Sequence, residues 1–290
     1  MQISRLDPAE VDLDLADRLA ALDRASLTDA GLEVPPPTGP SKLTWLRHGN
    51  TGRPVDALWV AGPLEAPLGW AVVELPFLDN LSTALVRATV DPEHRRAGWG
   101  SRLLELQLGL VRERGRTNVR AWTWAGTDGV GFLAARGFSD AGQLPMAVRR
   151  LDLHEAINDA PADEGVEPDV WDADRVRAYD ASMVDRRQTT YRVLARHRPT
   201  GEWAGMSLLC VDEFSPSIAH QEDTNVVRAH RGHRLGLALK CELATWLRHE
   251  RPEVQATDTW NAVDNHHMIA VNERLGCRDI ATGLGYRRRL

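Results

Sequence analysis

Several ordinary ingredients are scarce in this chain, and each shortage excludes something. Only three cysteines occur in 290 residues. They are Cys210, Cys241 and Cys277, an odd number at spacings that suit neither a disulfide framework nor a zinc site. A reduced, cytoplasmic setting with no bound metal is therefore expected. No apolar run approaches the ~18 residues needed to span a bilayer. The opening MQISRLDPAE lacks the basic-then-apolar order of a secretory signal, so no membrane partner is expected either. Of 35 cationic residues only Lys42 and Lys240 are lysines, a skew that reads as compositional bias. The net charge of -6 argues against a nucleic-acid binder that relies on bulk basicity. Tyrosine is confined to Tyr179, Tyr191 and Tyr286, which restricts the choice of a phenolic proton donor. What remains is a globular composition, 43% hydrophobic and 26% charged, with a length that favours two domains.

The two halves share one grammar. ALVRATVDPEHRRAGWGSRLLELQLGLVRERG (84–115) parallels TNVVRAHRGHRLGLALKCELATWLRHERP (224–252). Each has a β-branched run, a short His-Arg turn, a glycine-bearing loop and a long amphipathic helix. The helix faces are set by Leu104, Leu108 and Val111 in one copy and by Leu235, Leu239, Leu243 and Trp246 in the other. A strand-like run and a short helix ending in glycine follow each. Upstream, Val11, Leu15, Leu19 and Leu22 on one face predict a helix over 8–30. Hairpins are expected at 55–75 and at 189–211, the latter turning at Gly201. PPPTGPSK (35–42) reads as a loop inside the first domain. The expected division is 1–153, a linker at 154–168, and 169–290.

At the glycine loops a strand enters and a helix leaves. The first helical turn carries unpaired N–H groups and a partial positive charge, which together suit phosphate oxygens. The spacing Arg95-x-x-Gly98-x-Gly100 follows a strand, precedes a helix and recurs at Arg231 to Gly236. In this arrangement the sequence resembles the GNAT superfamily of N-acyltransferases, whose loop amides hold the pyrophosphate of coenzyme A. The resemblance covers nearly the whole chain as two tandem modules, similar to the actinobacterial type that includes mycothiol synthase. It is carried by Arg95, Arg96, Ala97, Gly98, Trp99 and Gly100 in the first copy. In the second it rests on Arg231, Gly232, His233, Arg234, Leu235 and Gly236, with Gln221–Thr224 and Val271–Gly276. Arg234 replaces a loop glycine, a substitution that suits a negative φ.

The resemblance implies an α/β (α+β) fold of two modules, each a mixed, mostly antiparallel twisted sheet with helices on both faces. It implies acetyl-CoA as cofactor, held by the two loops together with Val90, Val226, Val227 and Asn265. It further implies an acyltransferase acting on a small-molecule primary amine, as a monomer or homodimer. Acetyl transfer needs a group to take the proton of the attacking ammonium and another to assist the leaving thiolate. The first copy has no carboxylate in 81–90; Glu74 and Asp79 are the nearest, and Leu133 stands where the family often has tyrosine. The second copy has Glu222 and Asp223, and strand alternation sends them to opposite faces. Asp223 is preferred as the base because the family motif contains it. Asn272 takes the usual tyrosine position, where an amide donates a hydrogen bond to a thiolate, and Tyr286 is the substitute phenol. Catalysis is thus expected in the second copy. The rivals are a protein or peptide N-terminal acetyltransferase and a non-catalytic coenzyme A-binding module. The His266-His267 pair suits capping better than metal binding, and Cys277 suits a core position.

Overall fold

A computed structural model describes residues 2–49, 53–78, 80–140, 146–152 and 173–290. The expected linker at 154–168 and Asp79 lie outside the described residues. In chain order the elements are β1 (Ile3–Leu6), α1 (Leu13–Asp29), α2 (Gly39–His48), β2 (Ala57–Ala61), β3 (Gly69–Glu74), β4 (Thr83–Val90), α3 (Trp99–Glu113), β5 (Asn118–Trp124), α4 (Asp128–Ala134), β6 (Ser139–Asp140) and β7 (Met146–Asp152). There follow α5 (Ala173–Asp185), β8 (Gln188–Arg196), β9 (Trp203–Asp212), β10 (Ile218–Val226), α6 (Leu235–Glu250), β11 (Ala256–Ala262), α7 (His266–Arg274) and β12 (Arg278–Arg289). None of the described helices is long and apolar enough to cross a membrane.

The compact units are not contiguous in sequence. One comprises 1–143, 165–187 and 284–290; the other comprises 144–164 and 188–283. The sequence repeat defines two continuous modules, whereas packing assigns strands by partner, so the two divisions differ. In the first unit the strands run β1, β2, β3, β4, β5, then the last residues of β12, then β6. Tyr286 pairs with Asp140 and Arg287 with Ser139, and the Leu290 N–H donates to Thr117 O at 2.9 Å. In the second unit the order is β8, β9, β10, β11, β7 and the first residues of β12. There β7 pairs antiparallel with β11 on one side and with Arg278–Gly283 on the other.

Alternation explains the core of the first unit. Ala71, Val73, Ala84 and Val86 face Leu103, Leu104, Leu108 and Val111 of α3. Leu58, Val60, Trp70 and Val72 pack with Leu15, Leu19 and Leu22 of α1 and Leu46 of α2. The helix expected over 8–30 forms from Leu13 to Asp29, and Val11 packs from the segment before its start. Its start is capped by Asp12, whose Oδ1 accepts from the Leu15 N–H at 2.8 Å. The expected loop at 35–42 is corrected: Thr38 accepts from the Ser41 N–H at 3.2 Å and opens α2 from Gly39 onward. Pro40 is tolerated because the first helical N–H groups have no partner in the helix. In the second unit Leu243 and Leu247 of α6 bury against Tyr191, Leu209 and Val211. Trp246 is at the rim, 41% exposed, with its ring edge-on to Tyr191 at 5.1 Å.

Candidate active site

Each unit contains a strand that parts from its neighbour. β4 pairs with β3 along its length, from Leu85 to Val90, but with β5 only from Thr83↔Asn118 to Val86↔Ala121. Likewise β10 pairs with β11 only from Ile218↔Ala256 to Gln221↔Thr259. The unpaired end of each strand leads through a 3-10 turn into the glycine loop and then a helix. Neither α3 nor α6 has a side-chain cap, so their first N–H groups are available to an anionic ligand.

The loops agree in backbone and differ in side chains. Positive φ is required at two corresponding places: Arg96 (64°) and Gly98 (87°) in the first, Gly232 (83°) and Arg234 (56°) in the second. Each loop therefore puts glycine at one left-handed position and arginine at the other, in opposite order. The negative φ expected at Arg234 is corrected. A left-handed L-residue costs roughly 1–2 kcal/mol, so both arginines are retained against strain. At Gly100 the limit is space, because an added Cβ would lie 3.1 Å from Phe132 Cε2.

Arg95 and Arg231 brace their loops. Arg95 Nε donates to Val90 O at 3.4 Å and Arg231 Nε to Val226 O at 3.0 Å. Arg95 is further committed to Asp29 at 2.6 Å and to Ser26 Oγ at 3.0 Å. Arg96 pairs with Asp128 at 2.8 Å. Both arginines of the first loop are thus paired with carboxylates outside it, Asp29 of α1 and Asp128 of α4. The second, Val227–Gly236, holds three arginines, two histidines and no carboxylate. Among the described residues, Arg228, His233 and Arg234 have no ion-pair partner. The second helix start therefore has positive charge to offer a polyphosphate. Replacing Arg234 by glycine is expected to change stability by less than about 1 kcal/mol, since relief of strain is offset by added chain entropy. Donor affinity is expected to fall about tenfold, the scale of a charge-assisted bond. Urea titration and calorimetry read the two effects separately.

At the opening of the second site, β10 carries a bulge between Gln221 and Thr224, so that Glu222 and Asp223 together oppose Leu208. The alternation that was to send them to opposite faces does not hold at a bulge. Both are exposed. Gln221 Nε2 donates to Leu208 O at 2.7 Å, filling the carbonyl beside the extra residue. A buried Ser207–Thr224 hydroxyl pair at 2.8 Å holds the other side. The Gln-x-Asp-Thr pattern is thus a device that fixes the bulge and presents Asp223.

Two expected chemical residues lie elsewhere. Asn272 is buried, donates from Nδ2 to Asn261 Oδ1 at 2.5 Å and accepts from Cys277 Sγ at 3.6 Å. This network ties α7 to β11. Tyr286 belongs to the first unit, packed against the core that contains Leu133 and Phe138. Asn265 is nearly buried just before α7, where its carbonyl accepts from the Ile269 N–H at 2.9 Å. Trp122 and Trp260, in equivalent strands, are both about 40% exposed and therefore not core residues.

Sequence reasoning passed over the polar seam under α1 and α2 in the first unit. Asp23 receives Lys42 Nζ at 2.5 Å, Trp70 Nε1 at 3.0 Å and Thr89 Oγ1 at 2.9 Å. Burial lowers the Lys42 pKa against the opposing pull of Asp23. Beside it, burial raises the pKa of Glu74, opposed by Arg87. A lone lysine following three prolines was the available signal.

Paired strands that splay, a loop with two left-handed residues and an uncapped helix start, all present twice, give the chain a tandem GNAT fold. Over 99% of its length the chain is similar to a tandem GNAT protein from the clavulanic acid biosynthesis pathway, at 26% identity and a TM-score of 0.83, covering 98% of that chain. It is also similar in fold to a GCN5-related N-acetyltransferase from Sphaerobacter thermophilus, at 17% identity and a TM-score of 0.69, with 99% of this chain and 95% of that one covered. No family model and no curated protein matches the sequence.

Proposed function

We propose that this protein is an acetyl-CoA-dependent N-acetyltransferase of a small-molecule primary amine, working by direct attack in a ternary complex in the cytoplasm. The donor is assigned to the module 169–290, which the linker 154–168 joins to the module 1–153. The observation that carries this reading is the charge difference between the loops. Arg228, His233 and Arg234 are uncommitted, whereas Arg95 and Arg96 are already paired. The residues fit a polyphosphate ligand: exposed cations stand beside helix N–H groups that lack a cap.

When bound, acetyl-CoA supplies an activated acyl group as a thioester. Asp223 would take the proton that the amine loses as its nitrogen forms the new C–N bond; the thioester C–S bond would break in exchange, with coenzyme A leaving as a thiolate that takes its proton from water, and Glu222 beside Asp223 adds negative potential that favours an ammonium-bearing acceptor. Backbone N–H groups beyond the bulge, where β10 no longer pairs with β11, are positioned for the carbonyl oxygen as charge develops. The small-molecule acceptor is supported by the likeness to the clavulanic acid pathway protein.

Calorimetry with acetyl-CoA is expected to give one site per chain, weakened by Arg228→Ala but unaffected by Arg96→Ala. Two equal sites would overturn the assignment to one loop. In a thiol-release assay over an amine panel, Asp223→Ala is expected to lower turnover at least tenfold, about 1.4 kcal/mol of transition-state stabilisation, with donor binding intact. An unchanged rate removes Asp223 as the base.

A further inference from the structure

Two histidines from separate parts of the second unit meet beside its glycine loop, and neither has a role in acetyl transfer. His230 closes the 3-10 turn Arg228–His230 that leads from β10 towards α6. His197 stands at the base of the β8–β9 turn, where its N–H donates to Glu202 O and its carbonyl accepts from the Gly201 N–H, both at 2.8 Å. Both residues are partly buried. Their ring centres are 4.8 Å apart and their planes are inclined by 43°. Rings in contact favour an offset stack or an edge-to-face arrangement, and this inclination is neither. The first copy shows what differs. His94, the counterpart of His230, has Asp91 at 3.4 Å, whereas Val227 stands at the position of Asp91. Among the described residues, the His230 ring is thus left without a hydrogen-bond partner.

The proton on His197 is placed by its neighbours. Thr200 Oγ1 donates to the Glu202 carboxylate at 2.9 Å. A hydroxyl has one proton to give, so in its 2.9 Å contact with His197 Nδ1 it accepts. His197 therefore carries its proton on Nδ1, and the lone pair of the neutral ring is on Nε2. A donor contact of this kind, backed by a carboxylate, is what orients histidine ligands of metal ions. The ring spacing agrees. An ion ~2.0–2.1 Å from an imidazole nitrogen is about 3.2 Å from the ring centre, so two imidazoles on one ion at about 90–109° have centres roughly 4.5–5.2 Å apart. The observed 4.8 Å falls inside that range. Arg196 and Arg231, adjacent to the two histidines in sequence, are held by other partners. Arg196 Nε donates to Gly201 O at 2.7 Å, and Arg231 Nε to Val226 O at 3.0 Å.

We propose that His197 and His230 form a binding site for a divalent transition ion that prefers imidazole, of the Cu²⁺, Ni²⁺ and Zn²⁺ class, with Thr200 and Glu202 orienting His197. Among the described residues no cluster of three or more ligating side chains exists, so water completes the shell. An ion shared by the two rings joins the β8–β9 turn to the loop before α6. The site goes beyond the acetyl-transfer reading and does not depend on it.

The test is calorimetric titration of the full chain, without acetyl-CoA, using the chlorides of Ni²⁺, Cu²⁺ and Mg²⁺. Ni²⁺ is expected to bind saturably, Cu²⁺ more tightly, and Mg²⁺ not to bind. His197→Ala and His230→Ala should each weaken Ni²⁺ at least tenfold, while His249→Ala should leave its affinity unchanged. Thr200→Val should weaken Ni²⁺ about tenfold, the scale of losing a group that orients a ligand, and Thr200→Ser should restore it. Electron paramagnetic resonance of the wild-type chain with one equivalent of Cu²⁺ reads the ligands without any substitution, and splitting from two imidazole nitrogens is expected. No saturable Ni²⁺ binding, Mg²⁺ binding as tight as Ni²⁺, or fewer than two nitrogens on Cu²⁺ overturns the proposal. So does Ni²⁺ affinity unchanged in either histidine variant with wild-type far-UV circular dichroism. None of these readouts involves acetyl transfer, so failure of that reading leaves this test intact.

Discussion

Replacing Asp23 by alanine is expected to lower the stability of the first unit by about 3–5 kcal/mol, the range found when one member of a buried ion pair is removed. The loss is large because three donors converge on this carboxylate. Lys42 is 4% exposed and would keep a charge with no counter-ion, while the Trp70 indole N–H and Thr89 hydroxyl would lose their acceptor. Asp23→Asn should cost less, since an amide oxygen still accepts from Trp70 and Thr89. The pH dependence has a definite sign. Burial already holds the Lys42 pKa below its ordinary 10.5, so on the acid side of that value the unfolded chain binds more protons at this position. Stability attributable to Lys42 therefore rises with pH through that window. Without Asp23 the pKa falls further and the window widens, so the deficit of Asp23→Ala should narrow in alkaline solution. Urea unfolding at neutral and alkaline pH measures this, and a deficit under about 1 kcal/mol at neutral pH would show that Lys42 escapes to water.

The second large effect concerns the end of the chain. A protein ending at Gly283 is expected to destabilise the first unit, although 140 residues separate Gly283 from Gln143, where that unit's N-terminal segment ends. The lost segment supplies the pairs Tyr286↔Asp140 and Arg287↔Ser139, the Leu290–Thr117 bond and the Tyr286 ring. Removing a fully buried aromatic ring costs on the order of 3–5 kcal/mol; the half-buried Tyr286 ring contributes less, but with the strand pairs lost as well the first unit should unfold before the second. Tyr286→Phe keeps the ring and should have a small effect. Hydrogen exchange at β5 amides reads the first unit alone. Unchanged protection there in the shortened chain would show that the terminal residues contribute no stability.

Much of the fold was legible because it is local. Leu15, Leu19 and Leu22 recur at helical spacing and bury together. The two glycine loops stand between a strand and a helix, and the repeat fixed their equivalence. Other features were hidden for identifiable reasons. Three prolines obscured α2, although Thr38 and Pro40 are a serviceable start signal. Alternation failed at Glu222 and Asp223 because a bulge adds a residue that no spacing rule reveals. The two loops looked unequal in favour of the first, which keeps glycine at both motif positions, 98 and 100, whereas Arg234 replaces the first of them in the second loop. The reverse holds electrostatically, because the partners of Arg95 and Arg96 are Asp29 and Asp128, distant in sequence.

By itself, then, the sequence determined the scarcity of thiols and phenols, the twofold plan and the places where a strand gives way to a phosphate-type loop. These depend on composition and on neighbours along the chain. Tertiary structure alone decided which charges remain uncommitted, that Asn272 is spent inside a network, and that Tyr286 serves the first unit. Each of those outcomes depends on a partner brought close by folding, and hydrogen bonds and ion pairs act over a few ångströms of space regardless of how much chain lies between.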